Sequence, residues 1–279
     1  MSEPGKIPGS GTGHGAGHGA GRWADLAPRI GSAVVMVVVG LAVIWAGGLV
    51  FHLFVALICG TMVWELVRML APDTPARAVQ LGALSAGAIL LAMYLPAFYV
   101  LPVLLAPSVA GSSQVAQHKG LFAVFSALIA LAGFGMVFLR DGAGLDWMIW
   151  LIGVVIVTDV AGYFAGKMIG GAKLWPRVSP KKTWSGTVAG WIGAGLVGLI
   201  FAQYGGFGLL LVVLSVLMSM VSQAGDIAES ALKRKTGVKD SSALIPGHGG
   251  LMDRFDGMLG ASLFALLAGA LLGLPAGVV

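Results

Sequence analysis

Nine mostly apolar stretches follow one another along this chain, at 30–47, 48–70, 77–95, 97–111, 119–139, 146–168, 184–204, 207–229 and 257–275. A helix needs about 20 such residues to cross the hydrocarbon core of a bilayer. A water-soluble globule could not cover that many apolar segments. Only 10% of the 279 residues are charged and 57% are hydrophobic, whereas soluble domains carry about 25% charged residues. The fold class that follows is all-α: a polytopic integral membrane protein of about nine transmembrane helices. A β-barrel would show strands of about 10 residues alternating apolar and polar positions, and these runs do not alternate. Cys59 is the one cysteine, which excludes a disulfide framework and a cysteine-based metal cluster.

Three regions are expected. Residues 1–29 form a flexible Gly/His-rich tail without the short apolar region of a cleavable signal. Residues 30–145 carry the first transmembrane helices, and 146–279 the region that bears most of the chemistry. Basic residues fix the expected orientation. Lys6, Arg22, Arg29, Arg68, Arg77, Lys173, Arg177, Lys181, Lys182, Lys233, Arg234, Lys235 and Lys239 all fall on one side if the short fourth segment, with Pro102 and Pro107, also crosses. Positive residues mark the cytoplasmic side, so the N-terminus is read as cytoplasmic. The formal charge of +5 then reflects topology and anionic headgroups. Nucleic acid is not an expected partner, because no soluble domain presents a basic stripe.

From Asp159 onward the chain carries ten Lys and Arg and six acids, most at the ends of apolar segments. Ionisable residues in such places are functional candidates. Asp226 and Glu229 are three apart, as are Asp253 and Asp256, so each pair shares a helix face. Between the pairs lie Ser230, Lys233, Arg234, Lys239, Asp240, and a turn containing Pro246, His248, Gly249 and Gly250, followed by Arg254. Carboxylates among clustered Lys and Arg suit a hard divalent cation held by oxygen and phosphate oxygens held by the cations. The basic loop alone would equally suit a positive-inside segment, but that leaves the acids unexplained. Upstream, Asp159, Tyr163 and Lys167 share a helix face, and Lys181 and Lys182 follow in a loop. No GxxxxGK followed by Ser or Thr occurs, which excludes a P-loop NTPase. Gly162, Gly166 and Gly170, and Gly186, Gly190, Ala194 and Gly198, form two small-residue stripes suited to close helix packing.

The run from Ser230 to Asp256 resembles the C-terminal signature of the CDP-diacylglycerol synthases, also called phosphatidate cytidylyltransferases. It matches in the serine, the Lys-Arg pair, the Lys-Asp pair, His-Gly-Gly and the closing Asp-Arg-x-Asp. The segments 159–170 and 179–186 are similar too. The resemblance extends over roughly residues 145–275 and is only architectural before that. It implies synthesis of CDP-diacylglycerol and pyrophosphate from CTP and phosphatidate, in phospholipid biosynthesis at the inner (plasma) membrane, from a polar cavity open to the cytoplasm. It also implies a divalent cation, Mg²⁺ by preference, with a monovalent cation allowed beside it, and a homodimer. By resemblance, Asp226 and Asp253 would be the metal carboxylates. Lys233, Arg234, Lys239, His248 and Arg254 would contact phosphate or nucleotide. Asp240 and Asp256 would support the site, and Asp159, Lys181, Lys182, Ser230, Gly249 and Gly250 would line it. Two positions depart from the family pattern: Ser185 stands where an acid is frequent, and Gly162 where alanine is common.

Two other classes compete. A transporter would show internal repeats and charges near the bilayer midplane, and no convincing repeat is present. Another CTP-dependent lipid-phosphate enzyme, such as a polyprenol kinase, would make a different product. A CDP-alcohol phosphotransferase is excluded, because the residues after Asp256 do not continue its DGxxAR pattern.

Overall fold

The computed structural model describes residues 26–205 and 208–272. The expected tail up to residue 25 and the end of the last expected span, 273–275, lie outside them. The described chain is a bundle of α1 (Leu26–Ala46), α2 (Gly48–Leu70), α3 (Pro75–Ala92), α4 (Ala97–Ser112), α5 (Lys119–Phe138), α6 (Leu145–Met168), α7 (Trp184–Gly205), α8 (Leu209–Thr236) and α9 (Met252–Leu272). A widened turn, Leu139–Ala143, extends α5. A small antiparallel hairpin, β1 (Lys173–Trp175) and β2 (Ser179–Thr183), joins α6 to α7, where the sequence suggested only a loop. Among the described residues, each of the nine expected apolar stretches is mostly helical. Among the described residues, seven helices are long and apolar enough to cross a membrane; the apolar parts of the other two, Gly31–Ala46 and Ala97–Ser112, are shorter. The 16 residues of α4 rise about 24 Å at 1.5 Å per residue, below the ~30 Å of hydrocarbon.

Polar contacts sort the helix ends into two sets. At one end, Arg77 donates to Gln114 O, Ser32 meets His248, and α2 reaches α9 through Glu65. At the other, His52 Nε2 pairs with Asp141 at 2.6 Å and His52 Nδ1 meets Tyr94 at 2.9 Å. There Arg140 Nε also donates to Ile44 O at 2.8 Å. Among the described residues, Arg140 is the one Lys or Arg at that second end.

Two helix boundaries differ from expectation in ways that shape the site. α8 runs to Thr236 rather than 229, so Lys233, Arg234 and Lys235 form its last turn. Cations are favoured at a helix C-terminus by the macrodipole. Gly237, at φ +75°, then stops the helix: Gly237 N–H donates to Arg234 O and Val238 N–H to Lys233 O, a Schellman closure. α9 begins at Met252 rather than 257, placing Asp253 in its first turn.

Packing follows the small residues. A Cβ on Gly186 would lie 2.5 Å from Gly162 O, so α6 and α7 touch backbone to backbone. A Cβ on Gly225 would lie 2.5 Å from Asp256 O, which brings α8 and α9 equally close. Interhelical hydrogen bonds add register: Trp150 Nε1 to Ser215 Oγ at 2.9 Å, Thr158 Oγ1 to Ser219 Oγ at 2.8 Å, and Trp191 Nε1 to Gln223 Oε1 at 3.0 Å. Such pairs suit a medium that offers no other partners. Outward faces are apolar, as at Val38, Phe98 and Leu271, which fits contact with lipid. The molecule is an all-α polytopic membrane protein.

Gly198 tests the packing. A Cβ there would lie 2.8 Å from both Leu211 O and Val212 Cα on α8. Gly198→Val should destabilise the bundle by about 1–3 kcal/mol, read as a lower melting temperature in detergent micelles. An unchanged melt would contradict this helix contact.

Candidate active site

The site is built where the end of α8 meets the start of α9. Asp226, Glu229, Ser230 and Lys233 share one face of α8 at helical spacing. Lys233 Nζ lies 2.5 Å from Glu229 Oε2 and 2.6 Å from Asp253 Oδ1. Both acids are buried, at 2% and 5% side-chain exposure. Glu229 Oε1 has no hydrogen-bond partner, so this carboxylate depends on Lys233 for compensation. The second oxygen of Asp253 accepts three bonds: from Ser241 N–H at 2.9 Å, Ser241 Oγ at 2.9 Å and Gly250 N–H at 2.8 Å.

The loop between α8 and α9 is shaped by these bonds. Pro246, Gly247 and His248 form a tight turn closed by Ile245 N–H to Gly249 O at 2.8 Å. Gly249 has φ +81°, and a Cβ there would lie 2.8 Å from Asp253 Oδ2. Glycine is the residue that tolerates both. Arg254 Nε donates to His248 O at 2.9 Å.

Beneath the loop sits Glu65, which the sequence reading missed. It comes from the last third of the apolar stretch that forms α2, and it is fully buried. Its carboxylate accepts from Leu251 N–H at 2.9 Å, Met252 N–H at 2.7 Å, Ser242 Oγ at 2.6 Å and Ser241 Oγ at 3.2 Å. Two of these donors are backbone groups at the start of α9 that have no partner within the helix, and an anion there is also favoured by the macrodipole. A lone acid inside an apolar run was the available signal.

The second half of the site is a cavity of about 320 Å³ between α6, α7, α8 and the hairpin. Asp159, Tyr163, Lys167, Lys181, Lys182 and Asp226 are on its wall, with Lys167 Nζ 5.6 Å from the Tyr163 ring centre. Lys182 forms an ion pair with Asp226, which also accepts from Ser230 Oγ at 3.3 Å. Asp159, Asp226, Asp256 and Lys182 lie within electrostatic reach of one another. Glu229 reaches both Asp253 and Asp256 and so links the two halves. Asp256 Oδ1 accepts from Gly257 N–H at 2.7 Å.

The other expected residues stand further out. Arg234 is exposed and donates to Val178 O at 3.4 Å, tying α8 to the hairpin. Lys239 and Asp240 are exposed, although Asp240 Cβ comes within 3.5 Å of a Cβ built on Gly249. Gly250, expected to line the site, donates its N–H to Asp253 Oδ2. Ser185, where the family often has an acid, donates to Gly170 O at 2.5 Å and so ties the start of α7 to the end of α6.

The donor set is all oxygen, the kind a hard divalent cation takes. Among the described residues, no three His, Cys, Asp or Glu side chains converge on one point. The ammonium of Lys233 lies between Glu229 and Asp253, and that of Lys182 pairs with Asp226. In charge and in donor chemistry the residues fit a magnesium-like ion.

These features gather acids and cations at one end of a helical bundle in a membrane protein, a candidate site whose groups suit phosphate chemistry. The sequence model of the Cytidylyltransferase family matches residues 27–272. The phosphatidate cytidylyltransferase of Brucella suis biovar 1 (strain 1330) is 37% identical over 265 residues, covering 90% of this chain and 96% of that one. That of Staphylococcus saprophyticus is 32% identical over 246 residues, covering 83% and 94%. That of Staphylococcus aureus (strain COL) is 30% identical over 248 residues, also covering 83% and 94%. The chain belongs to the cytidylyltransferase family.

Glu65 gives a direct test of the site's framework. Glu65→Ala removes the acceptor of two backbone N–H groups and two hydroxyls, each costing about 1–3 kcal/mol if left buried and unsatisfied. The melting temperature should fall clearly for Glu65→Ala and less for Glu65→Gln, which keeps one acceptor oxygen. A wild-type melt for Glu65→Ala would contradict the assigned role.

Proposed function

We propose that this protein transfers the cytidylyl group of CTP to phosphatidate, giving CDP-diacylglycerol and pyrophosphate. An oxygen of the phosphatidate phosphate attacks the α-phosphorus of CTP. The bond from that phosphorus to the bridging β-oxygen breaks, and pyrophosphate leaves. The nucleophile is already an anion, so the reaction needs charge neutralisation and alignment more than a strong base. The observation that carries this reading is the set of acid–lysine contacts, Lys182 with Asp226 and Lys233 between Glu229 and Asp253, joined to a polar cavity at the same end of the bundle.

In this reading Lys181 and Lys182 hold phosphate oxygens from the cavity wall, and Lys233, Arg234, Lys239 and Arg254 hold them from the α8–α9 side. Two bringing steps are implied for the lysines: anionic phosphates draw Lys182 off Asp226 and Lys233 off Asp253, which frees carboxylate oxygens. Asp226 and Asp253 would hold a divalent cation, Mg²⁺ by the hardness of the donor set. When bound, the ion neutralises phosphate charge in the displacement. Glu229 and Asp256 keep the local field negative enough to hold cations, and Glu65 holds Asp253 in register. The acyl chains remain at the level of the bilayer while the headgroup enters from the basic end. That end faces the cytoplasm at the inner membrane, by the excess of Lys and Arg there. Clustering at one end also disfavours a transporter, whose ion-binding residues belong near the midplane.

Protein reconstituted in vesicles with labelled CTP and phosphatidate should yield a lipid carrying cytidine. A phosphorylated alcohol with CDP, or uptake without chemistry, would overturn the reading. Asp253→Asn should lower turnover by about 10²-fold or more while the protein stays folded. Near-normal turnover in that variant would remove Asp253 from the metal assignment.

A further inference from the structure

A second cavity, of about 610 Å³, opens between α1, α2 and α9. Its wall includes Val35, Gly40 and Ile44 from α1, Phe54 and Ile58 from α2, and Phe255 from α9. Its volume is in the range of small-ligand sites, about 300–1,000 Å³. Among the residues on its wall, Arg254 alone is charged. That arginine directly follows Asp253 in the first turn of α9, so the groove reaches the end of the bundle that carries the candidate active site.

The first helix is pinned at both ends and open between. Near its start, Ser32 Oγ lies 2.9 Å from His248 Nδ1 and donates to Pro246 O at 3.2 Å. At its end, Arg140 Nε and Nη2 donate to Ile44 O and Trp45 O at 2.8 and 3.3 Å. Midway, a Cβ on Gly40 would meet nothing within 4 Å. Lipid tails are as apolar as leucine, so no hydrophobic force presses such a helix shut. An alkyl chain fills the space at little cost.

We infer that this groove beneath α1 holds one acyl chain of phosphatidate, with the lipid phosphate drawn to Arg254 at its mouth. The inference rests on the proposed function and adds a place for the lipid. Charge selects phosphatidate over bulk diester lipids. Arg254 Nε is engaged by His248 O, and among the described residues no acid forms a salt bridge with Arg254. Its remaining N–H groups match the oxygens of a phosphate in a planar, paired fashion. A terminal phosphate monoester carries more charge and more free oxygens than a diester. Seating it at Arg254 keeps it at the end of the bundle where the attack is proposed.

The test narrows the groove without touching the polar site. Gly40→Trp fills it. Gly87→Trp on α3 is the control, because a Cβ at Gly87 also meets nothing within 4 Å and Gly87 is not on the groove wall. In detergent micelles, Gly40→Trp should lower kcat/KM for dioleoyl phosphatidate about tenfold or more and that for dihexanoyl phosphatidate less than about twofold, with KM for CTP unchanged. Gly87→Trp should change neither. Equal losses on both lipids, or no loss on either, would overturn the inference. A second measurement uses wild-type protein. Phosphatidate with a diazirine in mid-chain should crosslink to α1 and α2 residues of the groove, and a phosphatidylcholine with the same diazirine should not compete it away. Crosslinks elsewhere, or full competition by the diester, would overturn the inference even if Gly40→Trp fails to fold. If the wild-type protein makes no CDP-diacylglycerol, the function falls on that assay alone, and the crosslinks still decide whether the groove takes phosphatidate.

Discussion

A buried carboxylate on α2 holds together the end of this protein that carries the candidate site. Glu65 accepts four hydrogen bonds, two from the Leu251 and Met252 N–H groups where α9 begins and two from Ser241 and Ser242 in the preceding loop. In a membrane protein those N–H groups have few other partners. The contact sets where α9 starts, and so sets Asp253. Asp253 in turn fixes Lys233 on one oxygen and the Ser241 and Gly250 backbone on the other. A long-range bond from the first half of the chain therefore organises a signature carried by the second half.

The same constraint explains why the charges lie where they do. An ion in hydrocarbon is costly unless paired, and the acids of α8 and α9 are each set against a lysine, a hydroxyl or a backbone donor. Close approach of those two helices depends on Gly225, whose missing side chain allows contact with Asp256 O. The site is compact because the backbones are near, and the backbones are near because small residues sit at the crossing.

Much of this was legible in the sequence. Apolar runs of spanning length announce helices whatever their neighbours do, because a bilayer demands internal hydrogen bonding. The spacing of Asp226 with Glu229, and of Asp253 with Asp256, placed each pair on one helix face, and the residues from Ser230 to Asp256 pointed to the family. The helix ends were harder. α8 continues to Thr236 because its lysines suit a helix C-terminus and Gly237 can close it, features that an apolar window does not weigh. α9 begins early because Glu65 caps it, and Glu65 is 187 residues away in sequence from the Met252 N–H it accepts.

Hydropathy, charge and local spacing are properties of neighbouring residues, and they suffice to specify a helical membrane protein with its ionisable cluster near the C-terminal end. Which charges meet depends on how the chain packs. The tertiary structure sets Lys182 on Asp226, Lys233 between Glu229 and Asp253, Glu65 under the loop, and α1 over an apolar groove ending at Arg254. Apart from Lys233 with Glu229, one turn apart on α8, those contacts join residues from separate elements, and packing is what brings them within bonding distance.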